Sequence, residues 1–260
     1  MTDDDFYSDQ EYQDSRRVTA ATLALQEGRL AFAERELLDV VANAPARYEY
    51  MRDVLDSTSD SLRGRSGGGY DCEHDRGHRR CIKAWDADEV THYVRWHEAN
   101  EKPHSILWLQ AAYPPAYYYL AVICLERRNA LQAIDYLKRG FALEMHVKFV
   151  LELAAAQIST GALTEALEIY AGVTQVSLGI QPKHVAIAAR GAAAILVELG
   201  DLDTAESILS DLLEHDPQDE LARAELQYIA DLRAGRPARE PLFRLTTPGG
   251  NDARYPSGTH

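Results

Sequence analysis

Apolar residues recur at steps of three and four along much of the chain, the period of an α-helix with one buried face. Leu120, Ile123 and Cys124 make one such face, and Leu131, Ile134 and Leu137 make the next. Ile208, Leu209, Leu212 and Leu213 repeat the pattern further on. The stretch from Ala186 to Leu199 is apolar nearly all round, which suits a helix packed between neighbours. From Asp219 to Leu232, the residues Leu221, Leu226, Ile229 and Leu232 mark one more amphipathic helix. Beyond Gly235 a run of prolines and glycines, from Pro237 to Pro256, breaks every period and reads as a flexible tail.

A spacing of small residues is laid over this period. Gly28 is followed five residues later by Ala33, Gly161 by Ala166 and Gly200 by Ala205, while Arg128 stands in the glycine position ahead of Ala133. In the first and last copies a proline falls twelve residues after the alanine, at Pro45 and Pro217. Each element has a physical role in a helix hairpin. Glycine ends the first helix, because it adopts the left-handed C-cap conformation without a steric penalty. Alanine in the second helix lets the two helices approach closely. Proline stops the second helix, since it cannot continue the hydrogen-bond ladder.

The pattern resembles the tetratricopeptide repeat family, a helix-turn-helix unit of about 34 residues. The match is best at Leu199-Gly200-Asp201-Leu202-Asp203-Thr204-Ala205 with Asp216-Pro217, and nearly as good from Asp14 to Arg47. A second copy runs from about Pro114 to His146, with Tyr117, Leu120 and Ala121 at its start. The third begins near Val147, and its alanine-to-alanine step of 39 residues implies an insertion around Val176 to Pro182. The resemblance covers a little over half the chain. It implies an all-α fold, an α-solenoid of about four such hairpins with a helical insert after the first and a capping helix near the end. In order, the expected units are an acidic tail over 1–12, a hairpin over 13–47, the insert over 48–113, three hairpins over 114–217, the capping helix over 218–234 and the tail over 235–260.

The insert is too long to be structureless within a compact chain. Tyr50, Val54 and Leu55 suggest a helix running towards Leu62. Asp86 with Glu89 three residues on forms a cap for a second helix, whose face carries Val90, Tyr93, Val94 and His97. Ile106-Leu107-Trp108-Leu109 reads as a short extended run before Pro114-Pro115. Between them, after the loop-forming Arg63 to Gly69, lie Cys72, His74, His78 and Cys81. Two thiolates and two imidazoles could supply four tetrahedral zinc ligands. The spacing is not that of a common zinc finger, and Arg76, Arg79 and Arg80 add positive charge beside it. A polar loop that carries these residues incidentally is the competing reading.

Charge and composition narrow the function. A formal net charge of -14 lacks the basic footprint of a nucleic-acid-binding protein. The acidic Met1-Thr2-Asp3-Asp4-Asp5 is unlike a secretory signal, no apolar run is long enough to span a membrane, and three cysteines make no disulfide framework. The expected location is therefore the cytoplasm. No phosphate-binding glycine loop, dinucleotide fingerprint or nucleophile elbow occurs, so no enzyme is expected and no cofactor other than the zinc just weighed.

In tetratricopeptide arrays the first helix of each pair lines a concave groove that holds a protein or peptide. The resemblance carries that role to Tyr118, Val122 and Leu125, to Lys148 and Leu151, and to Arg190. The chain lacks the asparagine and basic set with which chaperone-binding members grip a terminal carboxylate. A mostly apolar groove needs an occupant. That occupant is either a partner or the chain's own insert, through Trp96 or Trp108. The function expected is a non-catalytic scaffold or adaptor, and homo-oligomerisation is left open. The alternative is a metal-dependent enzyme or zinc-stabilised regulator centred on Cys72 to Cys81.

Overall fold

The computed structural model describes residues 6–55, 78–100, 105–173 and 181–237. The protein is predominantly helical. Among the described residues the order is α1 (Asp9–Gln26), α2 (Leu30–Ala42), β1 (Met51–Leu55), β2 (His78–Ala84), α3 (Ala87–Asn100), β3 (Ser105–Gln110) and α4 (Tyr113–Glu126). There follow α5 (Ala130–Leu143), α6 (Val147–Ser159), α7 (Leu163–Ala171), α8 (Pro182–Leu199), α9 (Leu202–His215) and α10 (Glu220–Arg233).

The helix pairs close as the small-residue spacing requires. Gly28, Arg128, Gly161 and Gly200 hold positive φ angles of 74°, 60°, 82° and 85°. At each, the next residue's N–H reaches back to a carbonyl five residues earlier: Arg29 to Ala24, Asn129 to Cys124, Ala162 to Gln157 and Asp201 to Leu196, at 2.8–3.0 Å. This is the Schellman closure that satisfies orphan carbonyls at a helix end. Arg128 bears the steric cost of the left-handed region that glycine avoids. Ala33, Ala133, Ala166 and Ala205 are all completely buried. Gly235 repeats the turn after α10, with φ 75° and Arg236 N–H bonded to Asp231 O at 3.0 Å.

Each helix of the stack packs on the next, from α1 on α2 through α9 on α10, and α2 packs directly on α4. Alternate helices also touch in succession: α1 with α4, α4 with α6, α6 with α8 and α8 with α10. The insert therefore enters between two helices that pack as neighbours. Its residues meet the stack at more than one place: Trp85, Ala111 and Ala112 belong to the core formed by α1, α2, α4, α5 and the start of α6, and Lys83 pairs with Glu11 of α1.

The insert departs from expectation at its start, where a helix was expected from Tyr50. Met51–Leu55 is a strand, antiparallel to β2, and β2 runs parallel to β3 in a sheet of order β1-β2-β3. The α3 crossover supplies the connection that a parallel pair requires. Five residues carry too short a period to separate strand from helix, and the β2 partner of this strand lies more than twenty residues on. The expected helix and extended run are present as α3 and β3. Asp86 accepts the Glu89 N–H at 3.0 Å, and Glu89 reaches back to the Trp85 N–H at 2.9 Å. One sheet face, with Ile82, Ala84 and Ile106, packs on Val90 and Val94 of α3.

The other face, with Cys81, Leu107 and Leu109, packs on Phe6 and Tyr7. These two residues lie in the segment expected to be a tail, yet both are core residues. Beside them Lys83 and Glu11 form a buried ion pair at 2.8 Å, and the Tyr48 hydroxyl donates to Glu11 at 2.9 Å. The Lys83 ammonium also faces the rings of Phe6 and Tyr48 at 4.6 and 4.4 Å. Burial raises the Glu11 carboxyl and lowers the Lys83 amine, each against the pull of its partner.

A close approach fixes α5 against its neighbours. A Cβ placed on Gly140 would overlap the Phe149 ring of α6 and crowd Tyr117 Cβ of α4 at 2.9 Å. Gly140→Ala should therefore lower the thermal midpoint, although alanine favours a helix over glycine by about 1 kcal/mol. A melt at or above the parent temperature would show that the approach is looser than described.

Candidate functional site

Tyr118 and Lys148, on the first helices of two successive pairs, converge on Trp85 of the insert. The Trp85 indole stacks on His146, with centroids 4.4 Å apart and planes 17° apart. The rings of Tyr118 and Phe149 meet it edge-on at 5.4 and 5.1 Å. Its Nε1–H donates to Glu144 Oε2 at 2.9 Å, and its backbone carbonyl accepts from Gln110 Nε2 at 2.6 Å. The ring is thus held by one stacked ring, two tilted rings and a hydrogen bond on its polar atom.

Local structure explains the placement. Glu144 ends α5 in an extended conformation, and His146 caps α6 by accepting the Lys148 N–H on Nδ1 at 3.1 Å. That bond leaves the proton on Nε2, which lies 3.0 Å from Glu89 Oε1. Nε2 makes no well-formed hydrogen bond there, so the approach is a close contact of a buried ring nitrogen with the carboxylate. Lys148 Nζ, 5.0 Å from the Trp85 ring centroid, bridges Glu89 Oε1 at 2.7 Å and Asp86 Oδ2 at 2.9 Å.

The carboxyl groups respond in opposite directions. Burial pushes Glu144 up to about 7, only partly offset by His146 and the indole N–H. Burial also works against the Glu89 charge, but the contacts with His146 and Lys148 prevail and hold it at about 2. Lys148 is likewise disfavoured by burial, and Glu89 and Asp86 hold its ammonium above the usual lysine range. The arrangement can bind an aromatic N–H donor followed by carboxylates.

The other expected groove residues lie apart from this cluster. Val122 and Leu125 are half-buried against the core that includes α1, α2, α4, α5 and Phe149 of α6, and Leu151 against that of α6–α8. Arg190 pairs with Asp219, whose side chain also caps α10 by accepting the Ala222 N–H at 3.0 Å. The insert residue that packs on Tyr118 and Lys148 is Trp85. Trp96 is half exposed on α3, and Trp108 packs in the sheet and α3 cluster. Trp85, Glu144 and His146 were not expected at this site; the Asp86–Glu89 cap directly after Trp85 was the available signal.

Of the four expected zinc ligands, Cys72, His74 and the His78 side chain lie outside the described residues. The backbone of His78 opens β2 opposite Leu55, and Cys81 is buried against Phe6, Tyr7, Leu107 and Leu109. No group of three or more metal-ligating side chains occurs among the described residues. No helix among them is long and apolar enough to cross a membrane.

Comparison with known proteins gives no match: no family model fits the chain and no curated protein is similar to it in sequence.

Beside the raised Glu11 carboxyl, Glu144 contributes a pH dependence of stability. Its folded value of about 7 lies above the ordinary carboxyl value of 4.5, so the folded state binds its proton more tightly. This contribution is complete below about pH 4.5, is lost as pH rises to about 7, and stays lost above. The depressed Glu89 acts in the separate window below pH 4.5. Glu144→Gln, which keeps an acceptor for the indole, should flatten the fall in melting temperature between about pH 5 and pH 8. Parallel curves for parent and variant would show that Glu144 is not the titrating group.

Proposed function

We propose that the chain is a non-catalytic scaffold of the tetratricopeptide kind, an α-solenoid that binds a protein or peptide along its concave side, in the cytoplasm. The observation that carries this reading is the repetition of one device. Four helix pairs share the left-handed turn and the completely buried alanine five residues later. Succession contacts among α4, α6, α8 and α10 support a continuous side made of first helices. A repeated, rigid set of helices offers an extended surface for another chain.

On this reading the concave side has two parts. Trp85 occupies the part made by Tyr118, Lys148 and Phe149. The remainder is supplied by Leu151 and Ala155 of α6 and by Ile187 and Ala194 of α8. Ile187 is 41% exposed, which is high for an isoleucine and suits contact with a partner.

A photo-crosslinking residue at position 187 tests the surface, with position 131 as control because Leu131 is 78% exposed on a second helix, α5. In the source organism, position 187 should crosslink to a distinct protein band and position 131 should not. Equal crosslinking at both positions, or none at position 187, would contradict the assignment.

A further inference from the structure

We infer that Trp85, Asp86 and Glu89 mimic a ligand, and that their seat on α4 and α6 recognises an acidic peptide presenting an indole followed by carboxylates one and four residues on. The insert keeps the seat closed until such a peptide displaces it. This inference rests on the scaffold reading and names the partner chemistry for one part of its groove.

The seat and its occupant come from different parts of the chain. Tyr118, Glu144, His146, Lys148 and Phe149 belong to the helix stack, while Trp85, Asp86 and Glu89 belong to the insert. The stack does not need the insert to bring its helices together, because α2 packs directly on α4. The insert has its own apolar cluster between α3 and the sheet. Trp85 sits on the two-residue connection between β2 and α3, so its withdrawal, with that of Asp86 and Glu89, requires movement at the junction and in the first turn of α3.

The contacts also read chemistry beyond apolar fit. A purely structural joint is served as well by aliphatic packing, since burying a carboxylate or an ion pair gains little over apolar side chains of the same volume. Here the buried Glu144 carboxylate is spent on one indole N–H at 2.9 Å, and the His146 face fixes the ring plane. Lys148 takes two carboxylates at once, at 2.7 and 2.9 Å. Aromatic anchors in a desolvated seat, flanked by charge-assisted bonds, are the usual composition of an interaction hot spot. The indole N–H and the two carboxylate positions define what a competitor must present.

The test uses a dye-labelled peptide with the sequence of residues 84–94, titrated against full-length protein and followed by fluorescence anisotropy. The Trp85→Ala protein, whose seat lacks its indole, should bind saturably. The parent should bind the same peptide about tenfold more weakly or worse, reflecting the fraction of open seat. A peptide with alanine for its tryptophan should bind neither. Absence of binding to the folded variant, or binding by the variant and none by the parent at any attainable concentration, overturns the inference; the second outcome makes the joint structural only. If Trp85→Ala does not fold, Asp86→Asn with Glu89→Gln keeps the indole and weakens its tether to Lys148. That protein should bind several-fold more tightly than the parent, and unchanged affinity overturns the inference. Position 187 lies outside the seat, so a partner crosslinked there without peptide binding leaves the scaffold reading intact and removes only this one.

Discussion

The Phe149 ring occupies the space that a side chain at Gly140 would need, and much of the molecule follows from that contact. A glycine within α5 sacrifices helix propensity, and in return the backbone of α5 meets an aromatic ring of α6 with nothing between them. Gly191 of α8 makes the same accommodation for the Tyr170 ring of α7. Small residues thus act at two levels. Alanine closes each helix pair from within, and glycine seats one pair against the next. Because cores are packed at near-crystalline density, these approaches leave little freedom in the spacing of the helices.

The same Phe149 forms one wall of the Trp85 seat, so scaffold and site share a residue. Its ring meets both Gly140 of α5 and the indole. His146 and Glu144 are placed by the end of α5 and the start of α6, the two helices that Gly140 brings together. The insert consequently docks against a surface whose geometry was already fixed by the stack. Its attachment is polar as well as apolar, through Lys148, Glu89 and Asp86 on one side and the Lys83–Glu11 pair on the other. These ion pairs join residues far apart in sequence; Lys83–Glu11 and Lys148–Glu89 are largely shielded from water, where a charge is costly to leave unpaired, whereas Asp86 is half exposed.

The helical part was legible in the sequence because its signals are local. A left-handed turn needs a glycine within a few residues of the helix that it ends, and the alanine follows at a fixed distance. The insert was less legible for the opposite reason. The register of β1 on β2 spans a segment of more than twenty residues, and only the pairing, not the five residues of the strand, distinguishes it from a helix. Phe6 and Tyr7 were hidden by the acidic residues before them, since burial against a sheet formed about a hundred residues later leaves no mark nearby. Of the candidate site, Tyr118 and Lys148 were reachable by repeat spacing. A single tryptophan at a strand-to-helix junction has no period, so Trp85 was passed over for Trp96 and Trp108.

The proposed function turns on whether Trp85 occupies the seat made by Tyr118, His146, Lys148 and Phe149. Trp96→Phe with Trp108→Phe leaves Trp85 as the sole tryptophan, and its fluorescence then reports the seat directly. The account predicts the blue-shifted emission of a buried indole, shielded from acrylamide, moving to the red and becoming quenchable when His146→Ala removes the stacking face. Emission typical of water and free quenching in the protein that retains His146 would contradict it.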